Sequence, residues 1–245
     1  MTAVRWLGSI VFTTLLFVTA ALWGIVTTIL GAISYRLVYG AVVAWAHAML
    51  WLLRVFCGID HRVRGLEHLP DEASVILMKH SSTWETLAQL CLFPQQTWVM
   101  KRELMWAPIM GWTLYFLKAI PINRKGGRAA VEQVLAHGCR HLDEGRWVVI
   151  FPEGTRMPAG TTRRYGLSGV LLAQAAGRKI VPVAHNAGEY WPRRATLKRP
   201  GTIHVVIGAP IDPAGREPRE LNQQIQDWVE AEIAAMAPQS DRGSE

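Results

Sequence analysis

The sequence predicts an α/β domain with a mostly parallel sheet flanked by helices, preceded by N-terminal hydrophobic membrane helices. Short apolar runs alternate with helical patterns from about residue 60 onward, which is typical of a parallel sheet covered by helices. Residues 6–35 carry no formal charge, and 245 residues suffice for one such domain with a full core. We therefore divide the chain into membrane-embedded helices at 1–58, a folded domain at 59–237 and a disordered tail at 238–245.

The uncharged N-terminal segment is long enough to cross a bilayer. A helix over residues 6–35 reaches about 45 Å, and roughly 20 residues suffice for a span. A second uncharged stretch at 37–53 allows either a single span followed by an interfacial helix or a helical hairpin turning near residues 31–36. A cleaved signal peptide ending near residue 20 is the rival interpretation, but the apolar stretch continues well past that point.

The distribution of charge predicts the side of the membrane and the kind of partner. Four arginines follow the first apolar stretch and favour the cytoplasmic face of the inner membrane for the folded domain: Arg36, Arg54, Arg62 and Arg64. Arg5 leaves the number of crossings open. The net charge of +7 suits an anionic membrane surface or a phosphate-bearing substrate. Nucleic acid is not an expected partner, because no Lys/Arg run is interleaved with aromatic residues.

The three cysteines indicate a cellular compartment but do not predict a metal or catalytic site. Cys57, Cys91 and Cys139 form neither a metal-ligand spacing nor a disulfide framework. This usage indicates a reducing compartment.

The first half of the folded domain is predicted to contain three strands and two helices. Residues 74–78 (SVILM) are an apolar run of strand length, and 82–92 has helical spacing that ends before a proline. Residues 97–100 and 120–122 are further short strands. Between them, the aromatic-rich stretch at 105–118 predicts an amphipathic or membrane-facing helix.

The second half continues the alternation. Helix 127–144 places Val131, Leu135 and Leu142 on one face and stops at a glycine. The remaining strands are predicted at 147–151 (WVVIF), 180–183 and 203–207, and the remaining helices at 166–176 and over 221–233. Residues 58–70 are taken as the boundary between the membrane segment and the folded domain.

The first candidate site follows the strand at 74–78. His80 comes directly after it, where ligands and catalytic groups gather in open α/β sheets. An imidazole there can take a proton from a hydroxyl, and Glu85, one helical turn later, can hold its other nitrogen. The competing interpretation is structural: Ser82 and Glu85 also form a capping-box pattern, and His80 is then an ordinary loop histidine.

The second candidate site is the segment at 151–156 (FPEGTR), which again follows an apolar strand. Proline and glycine set a tight turn beside Glu153 and Arg156. A guanidinium suits phosphate, and Glu153 can hold that arginine or accept from a substrate hydroxyl. The alternative is a surface turn with a local ion pair.

Two weaker signals complete the set. Arg124 stands between a strand edge and a helix N-terminus, where backbone N–H groups also favour phosphate, although a solvated basic turn is the commoner outcome. The strand at 180–184 (IVPVA) is interrupted by Pro182, which by itself indicates an edge strand or packing.

Taken together, the order and spacing of these segments resemble the glycerolipid acyltransferase family that includes bacterial 1-acylglycerol-3-phosphate acyltransferases. The family's H-x-x-x-x-D motif is matched by His80 through Glu85, and its apolar-x-x-Arg motif by residues 120–124. Its F-P-E-G-T-R motif is matched without change at 151–156, and its apolar V-P-[VI] strand at 181–183. The resemblance covers about residues 75–185.

The resemblance implies acyl transfer without a covalent enzyme intermediate and without metal or cofactor. His80 would deprotonate the free sn-2 hydroxyl of 1-acylglycerol-3-phosphate, which attacks the thioester of acyl-CoA or acyl carrier protein and gives phosphatidic acid. Glu85 would orient His80. The substrate-binding residues implied are Arg124, Glu153, Gly154, Thr155 and Arg156. The N-terminal helices and the stretch at 105–116 would dock on membrane lipid.

Two departures from the family pattern concern the pairing with His80 and the acceptor. Glu85 stands where the family usually has Asp, so the carboxylate is one methylene further from the backbone. A lysine that many members carry after the third motif is missing near Tyr165, and Arg163 and Arg164 are the cations available instead. The alternatives are an acyltransferase for another lyso-lipid such as a lyso-ornithine lipid, a non-catalytic anionic-lipid-binding protein, and a hydrolase. Against the hydrolase, the sequence has no G-x-S-x-G nucleophile elbow.

Overall fold

The computed structural model describes residues 2–124 and 126–236. The expected disordered tail at 238–245 lies outside the described residues. The chain begins with two long helices, α1 (Thr2–Ile33) and α2 (Tyr35–Cys57), which pack as an antiparallel hairpin. The turn between them falls at Ser34, inside the 31–36 region expected for a hairpin. Both helices are long and apolar enough to cross a membrane.

Both halves of α1 contact the rest of the domain. Near its N-terminus, the ring of Phe12 packs edge-on against Trp191, with centroids 5.4 Å apart. Near its C-terminus, the Thr27 hydroxyl lies 2.8 Å from that of Thr113. The hairpin therefore lies along the folded domain rather than projecting away from it.

Within the described residues, seven strands form one sheet in the order β1-β7-β6-β2-β5-β3-β4. The strands are β1 (Ile59–Arg64), β2 (Val75–Met78), β3 (Gln96–Lys101), β4 (Ile120–Ile122), β5 (Trp147–Ile150), β6 (Ile180–His185) and β7 (Gly201–Ile207). Neighbours are parallel except β6 and β7, which are antiparallel. The mostly parallel sheet predicted from the sequence is confirmed.

Helices cover the sheet as the alternating pattern predicted. They are α3 (Trp84–Leu92), α4 (Met110–Phe116), α5 (Arg128–Asp143), α6 (Ser168–Ala176), α7 (Ala187–Tyr190) and α8 (Pro218–Met236). Strand β2 lies at the centre, and its four residues are at most 1% exposed. An apolar run without polar alternation is what a strand buried on both faces requires.

Two sequence-based expectations need correction. The single helix expected at 105–118 is divided into a 3-10 helix at Arg102–Trp106 and the short α4, because Pro108 lies between them and cannot continue a helix. The expected boundary at 58–70 contains strand β1, which pairs in parallel with β7. Its sequence, IDHRVR, has no apolar run to mark it as a strand.

Candidate active site

The candidate site lies where three neighbouring strands end. Strand β2 ends at Met78, and β5 and β6 flank it on either side in the same direction. The segment beginning at Lys79 and the segment beginning at Phe151 therefore emerge side by side. Grouping at the carboxyl ends of parallel strands is the usual position for a site in this type of sheet.

His80 and Glu85 form a buried hydrogen-bonded pair. The distance from His80 Nδ1 to Glu85 Oε1 is 2.8 Å, and Glu85 is fully buried on the first turn of α3. The same carboxylate oxygen accepts the backbone N–H groups of Ser81 at 2.9 Å and Ser82 at 2.8 Å. The capping and the catalytic interpretation of Glu85 are therefore compatible. One carboxylate accepts backbone N–H groups at the N-terminus of α3 and also the hydrogen bond from His80.

The protonation of this pair follows from its contacts. Burial acts to raise the pKa of Glu85, but the hydrogen bond from His80 and that from the Ser82 backbone help to outweigh it and hold the pKa below its usual range. An ionised carboxylate only accepts hydrogen bonds, so Nδ1 of His80 carries the proton. In the neutral imidazole, Nε2 is then the unprotonated nitrogen and can accept a proton.

The imidazole plane is fixed by stacking. The ring of Phe151 lies over that of His80 with centroids 4.2 Å apart and planes inclined by 24°. His80 is 8% exposed, so only a small part of its surface is open. The hydrogen bond at Nδ1 and the stacking on one face fix the orientation of the imidazole. Nε2 therefore points in one direction, as a general base requires.

The FPEGTR segment contains one buried carboxylate, Glu153, followed by three residues that are at least partly exposed. Glu153 is buried, and its two oxygens accept from Lys79 Nζ at 2.5 Å and from the His80 backbone N–H at 2.9 Å. Gly154 turns the chain with φ 68° and is exposed, and Thr155 is half-buried. Arg156 is half-buried, and burial, partly offset by the charge of Glu85, lowers its pKa.

Arg124 joins this segment from the far edge of the sheet. It follows β4, is exposed, and its Nη1 donates to the carbonyl of Gly154 at 2.5 Å. A cavity of about 320 Å³ lies beside the contact. Its apolar lining includes Val99, Ile122, Val134, Ile150 and Phe151, and its basic lining is Arg124, Arg163 and Arg164. Residues from the second and third sequence motifs thus meet at one basic opening.

The strand with the interrupting proline has a packing role. Residues 181–183 lie in β6, fully buried, with Pro182 paired to Leu77 of β2. On the other side, the pairing with β7 begins only at Val183, so no ladder N–H is required of Pro182 there. Pro182 is therefore neither on an edge strand nor in the site.

Two residues near His80 have a position in the site to which the sequence assigned no role. Lys79 pairs with a residue 74 positions away, which no local pattern reveals. His185 ends β6, and a polar residue closing an apolar strand was a signal that could have found it. Burial lowers the pKa of His185, and its Nε2 lies 2.8 Å from the Lys79 carbonyl.

The chemistry of the site follows from the side chains that form it. They provide an orienting carboxylate, an imidazole with a free nitrogen, and nearby guanidinium groups. Such a set can activate a hydroxyl that belongs to a substrate. No group of three or more metal-ligating side chains occurs among the described residues.

The fold and this site define an enzyme of the acyl-transferring class. The chain belongs to the acyltransferase family, whose family model matches residues 60–186. It is similar over its whole length to the 1-acyl-sn-glycerol-3-phosphate acyltransferase of Pseudomonas aeruginosa, with 41% identity covering 100% of this chain and 97% of the relative.

More distant relatives agree with this placement. The 1-acyl-sn-glycerol-3-phosphate acyltransferase of Borreliella burgdorferi is 29% identical, covering 66% of this chain and 64% of its own. The crystal structure of the 1-acyl-sn-glycerophosphate acyltransferase from Thermotoga maritima has a TM-score of 0.78 at 20% identity, covering 98% of this chain and 97% of that one. This last likeness concerns the fold.

Proposed function

We propose that this chain transfers an acyl group from a thioester to the free sn-2 hydroxyl of 1-acylglycerol-3-phosphate, giving phosphatidic acid in phospholipid biosynthesis. The observation that carries the proposal is the buried His80–Glu85 pair at the end of β2, with Nε2 of His80 left to accept a proton. Full-length similarity to an enzyme named for this acceptor supports it.

The reaction needs no enzyme nucleophile. Nε2 of His80 takes the hydroxyl proton while the hydroxyl oxygen bonds to the thioester carbonyl carbon. The tetrahedral intermediate then expels the thiolate, which receives the proton from the imidazolium. Glu85 stabilises that imidazolium across the 2.8 Å hydrogen bond to Nδ1. Acyl-CoA and acyl carrier protein present the same thioester, so both serve as donors in this scheme.

The acceptor phosphate is placed by the basic opening beside the third motif. Arg124 lines that opening, and Arg156 follows in the same motif as Gly154 and Thr155, which shape the loop. Both arginines are planar donors suited to phosphate oxygens. Arg163 and Arg164 line the same cavity as Arg124 and can contribute charge where many family members have a lysine. We therefore assign phosphate binding to this group of side chains.

Replacing Arg124 tests the acceptor assignment. We expect Arg124→Gln to raise the KM for 1-acylglycerol-3-phosphate by about 10- to 100-fold, the loss expected for charge-assisted hydrogen bonds, with a smaller change in kcat. The measurement is phosphatidic acid formation over a range of acceptor concentrations. Arg128→Gln is the matched control, because Arg128 pairs with Glu132 on the exposed face of α5.

The same assay separates the alternative acceptors. Wild type is offered 1-acylglycerol-3-phosphate in competition with a lyso-ornithine lipid and with 1-acylglycerophosphocholine. Preference for the phosphomonoester supports the proposal. Preference for either competitor, with an unchanged KM in Arg124→Gln, shows that the acceptor is a different lyso-lipid.

We also propose that the enzyme works at the cytoplasmic face of the inner membrane. The exposed side chains of α1 and α2 are largely apolar, and Trp106, Trp112 and Tyr115 are 73%, 56% and 68% exposed near α4. Aromatic side chains of this kind favour the membrane–water interface. Because both halves of α1 contact the folded domain, the hairpin and the region around α4 can enter the same leaflet.

A basic loop beside α1 gives this membrane proposal a test. The loop at residues 191–200 contacts α1, because Nζ of Lys198 donates to the Thr13 hydroxyl at 2.7 Å. Arg194 and Arg199 are exposed in the same loop. Each cation near an anionic surface contributes about 1 kcal/mol. Loss of two such cations corresponds to about 2 kcal/mol, so we expect Arg194→Gln with Arg199→Gln to partition about 30-fold more weakly into phosphatidylglycerol-containing vesicles.

The control pair carries the same change on the opposite part of the domain. Arg216→Gln with Arg219→Gln alters two exposed arginines at the start of α8. Vesicles of phosphatidylcholine alone should bind all three proteins equally. Equal partitioning of both double variants into anionic vesicles would contradict the proposed role of the loop.

A further inference from the structure

We infer that Lys79 and Glu153 form an internal ion pair that positions His80, and that Glu153 acts through His80 rather than by contacting the acceptor. The inference rests on the proposed function, because it assigns roles in the same reaction. It concerns one residue, Lys79, to which the sequence assigned no role. It also gives Glu153 a role different from the substrate binding implied by the family resemblance.

Lys79 is a buried cation with a specific anionic partner. It follows the last residue of β2, and its side chain is 7% exposed while that of Glu153 is 0% exposed. Nζ donates to Glu153 Oε1 at 2.5 Å and to the carbonyl of Thr161 at 2.8 Å. A charged lysine out of solvent requires such compensation, since an isolated buried charge is strongly unfavourable.

Glu153 connects that side chain to the backbone of the catalytic base. Its second oxygen accepts the backbone N–H of His80 at 2.9 Å. Both oxygens of the buried carboxylate are thus engaged by the segment that carries His80. Glu153 borders the cavity beside Arg124, but both of its oxygens are already bonded, so a substrate hydroxyl would have to displace an existing buried contact.

The remaining polar groups of the Lys79–His80 backbone are also bonded. The Lys79 N–H donates to Val183 at 3.1 Å, and the Lys79 carbonyl accepts from Nε2 of His185 at 2.8 Å. The His80 carbonyl accepts from the Met157 N–H at 2.8 Å. The backbone at His80 is therefore fixed from β6 and from the FPEGTR loop together.

This arrangement predicts how the two charges act. The pair locates the His80 backbone, while Glu85 orients its ring, so loss of either charge displaces the base relative to the bound substrates. Small displacements of a reacting group are costly, about 10²-fold in rate for roughly 1 Å. The positive charge of Lys79 and the negative charge of Glu153 also cancel each other near the imidazole. Removing one of them leaves a net charge that changes the electrostatic potential at His80.

A double-mutant series tests the inference with Lys79→Met, Glu153→Gln and both together. We expect each single variant to lower kcat about 10- to 100-fold with the acceptor KM changed less than about 2-fold. The double variant should recover much of the lost kcat, because the introduced amide can still accept from the His80 N–H and no unpaired charge remains. This recovery also separates positioning from simple misfolding of a single variant.

The pH profile supplies a second readout that a purely structural role would not move. An unpaired Glu153 carboxylate favours the charged imidazole, so the acid limb of kcat/KM should move to higher pH in Lys79→Met. An unpaired Lys79 should move it to lower pH in Glu153→Gln, and the double variant should resemble wild type. The other charged or titratable groups facing the His80–Glu85 pair are unchanged throughout: Arg156 and His185.

The control is an ion pair at the opposite end of the sheet. Arg178 donates to Glu72 at 2.7 Å before β6 and β2 begin, so Arg178→Met with Glu72→Gln should leave kcat and the pH profile unchanged. A raised acceptor KM with normal kcat in Glu153→Gln would overturn the inference in favour of acceptor binding. Wild-type kcat in every variant would overturn it as well.

Failure of the proposed acceptor is distinguishable from failure of the inference. If wild type acylates a different lyso-lipid, the proposed acceptor is wrong, and the series is measured with the acceptor that is used. Opposite pH shifts and recovery in the double variant then still support the pair. A wild type that transfers acyl groups to no lyso-lipid overturns both.

Discussion

His80→Ala is expected to lower kcat for acyl transfer by about 10²–10⁴-fold, the usual contribution of a general base. His80 is held at Nδ1 by Glu85 and stacked on Phe151, and no other imidazole in the described residues has this environment at the end of β2. The KM for either substrate should change little, because the role proposed for the imidazole is to take the proton of the reacting hydroxyl. The measurement is initial-rate kinetics of the purified protein in detergent or lipid.

An exposed histidine provides the matched control. His137 lies on the solvent face of α5, and His137→Ala should retain wild-type kcat. A His80→Ala variant that keeps full activity shows that the base is elsewhere, whatever the acceptor.

Glu85→Gln is expected to have the second largest effect, a decrease in kcat of roughly 10²–10⁴-fold. The amide keeps the volume and can still accept the backbone N–H groups of Ser81 and Ser82, but it cannot stabilise the imidazolium with a full negative charge. The same kinetic assay measures this, with circular dichroism to confirm the fold. Unchanged kcat would mean that Glu85 serves only as a helix cap.

The same variant has a signature in the dependence of stability on pH. The pKa of Glu85 in the folded protein lies below its ordinary value of 4.5, so ionised Glu85 contributes stability that is fully present above about pH 4.5. That contribution is lost as the pH falls through the lower, folded-state pKa. The Tm of wild type should therefore fall more steeply below pH 4.5 than the Tm of Glu85→Gln.

The local parts of the site could be predicted from the sequence, and the long-range parts could not. His80 and Glu85 are five residues apart on a strand end and a helix start, so their hydrogen bond follows from local geometry. The contact from Arg124 to Gly154 spans 30 residues, and that from Lys79 to Glu153 spans 74. A motif predicts that such residues converge but not which atoms face each other.

The fold shows the same division. Apolar runs indicated β2 and β5 because buried parallel strands have no polar alternation. Strand β1 was missed because its charged sequence becomes a strand only by pairing with β7, more than 130 residues later. The antiparallel pairing of β6 with β7 has no signal in the sequence pattern, and the break in the 105–118 helix follows from Pro108.

The central claim is that the acyl group passes directly from a thioester to the hydroxyl of 1-acylglycerol-3-phosphate. Purified protein in lipid should be incubated with labelled acyl-CoA, or with labelled acyl carrier protein, in the presence and absence of that acceptor. We predict labelled phosphatidic acid only when the acceptor is present, with the label at sn-2 and none on the protein. Labelled protein without acceptor, labelled free fatty acid as the main product, or no transfer from either donor would contradict the account.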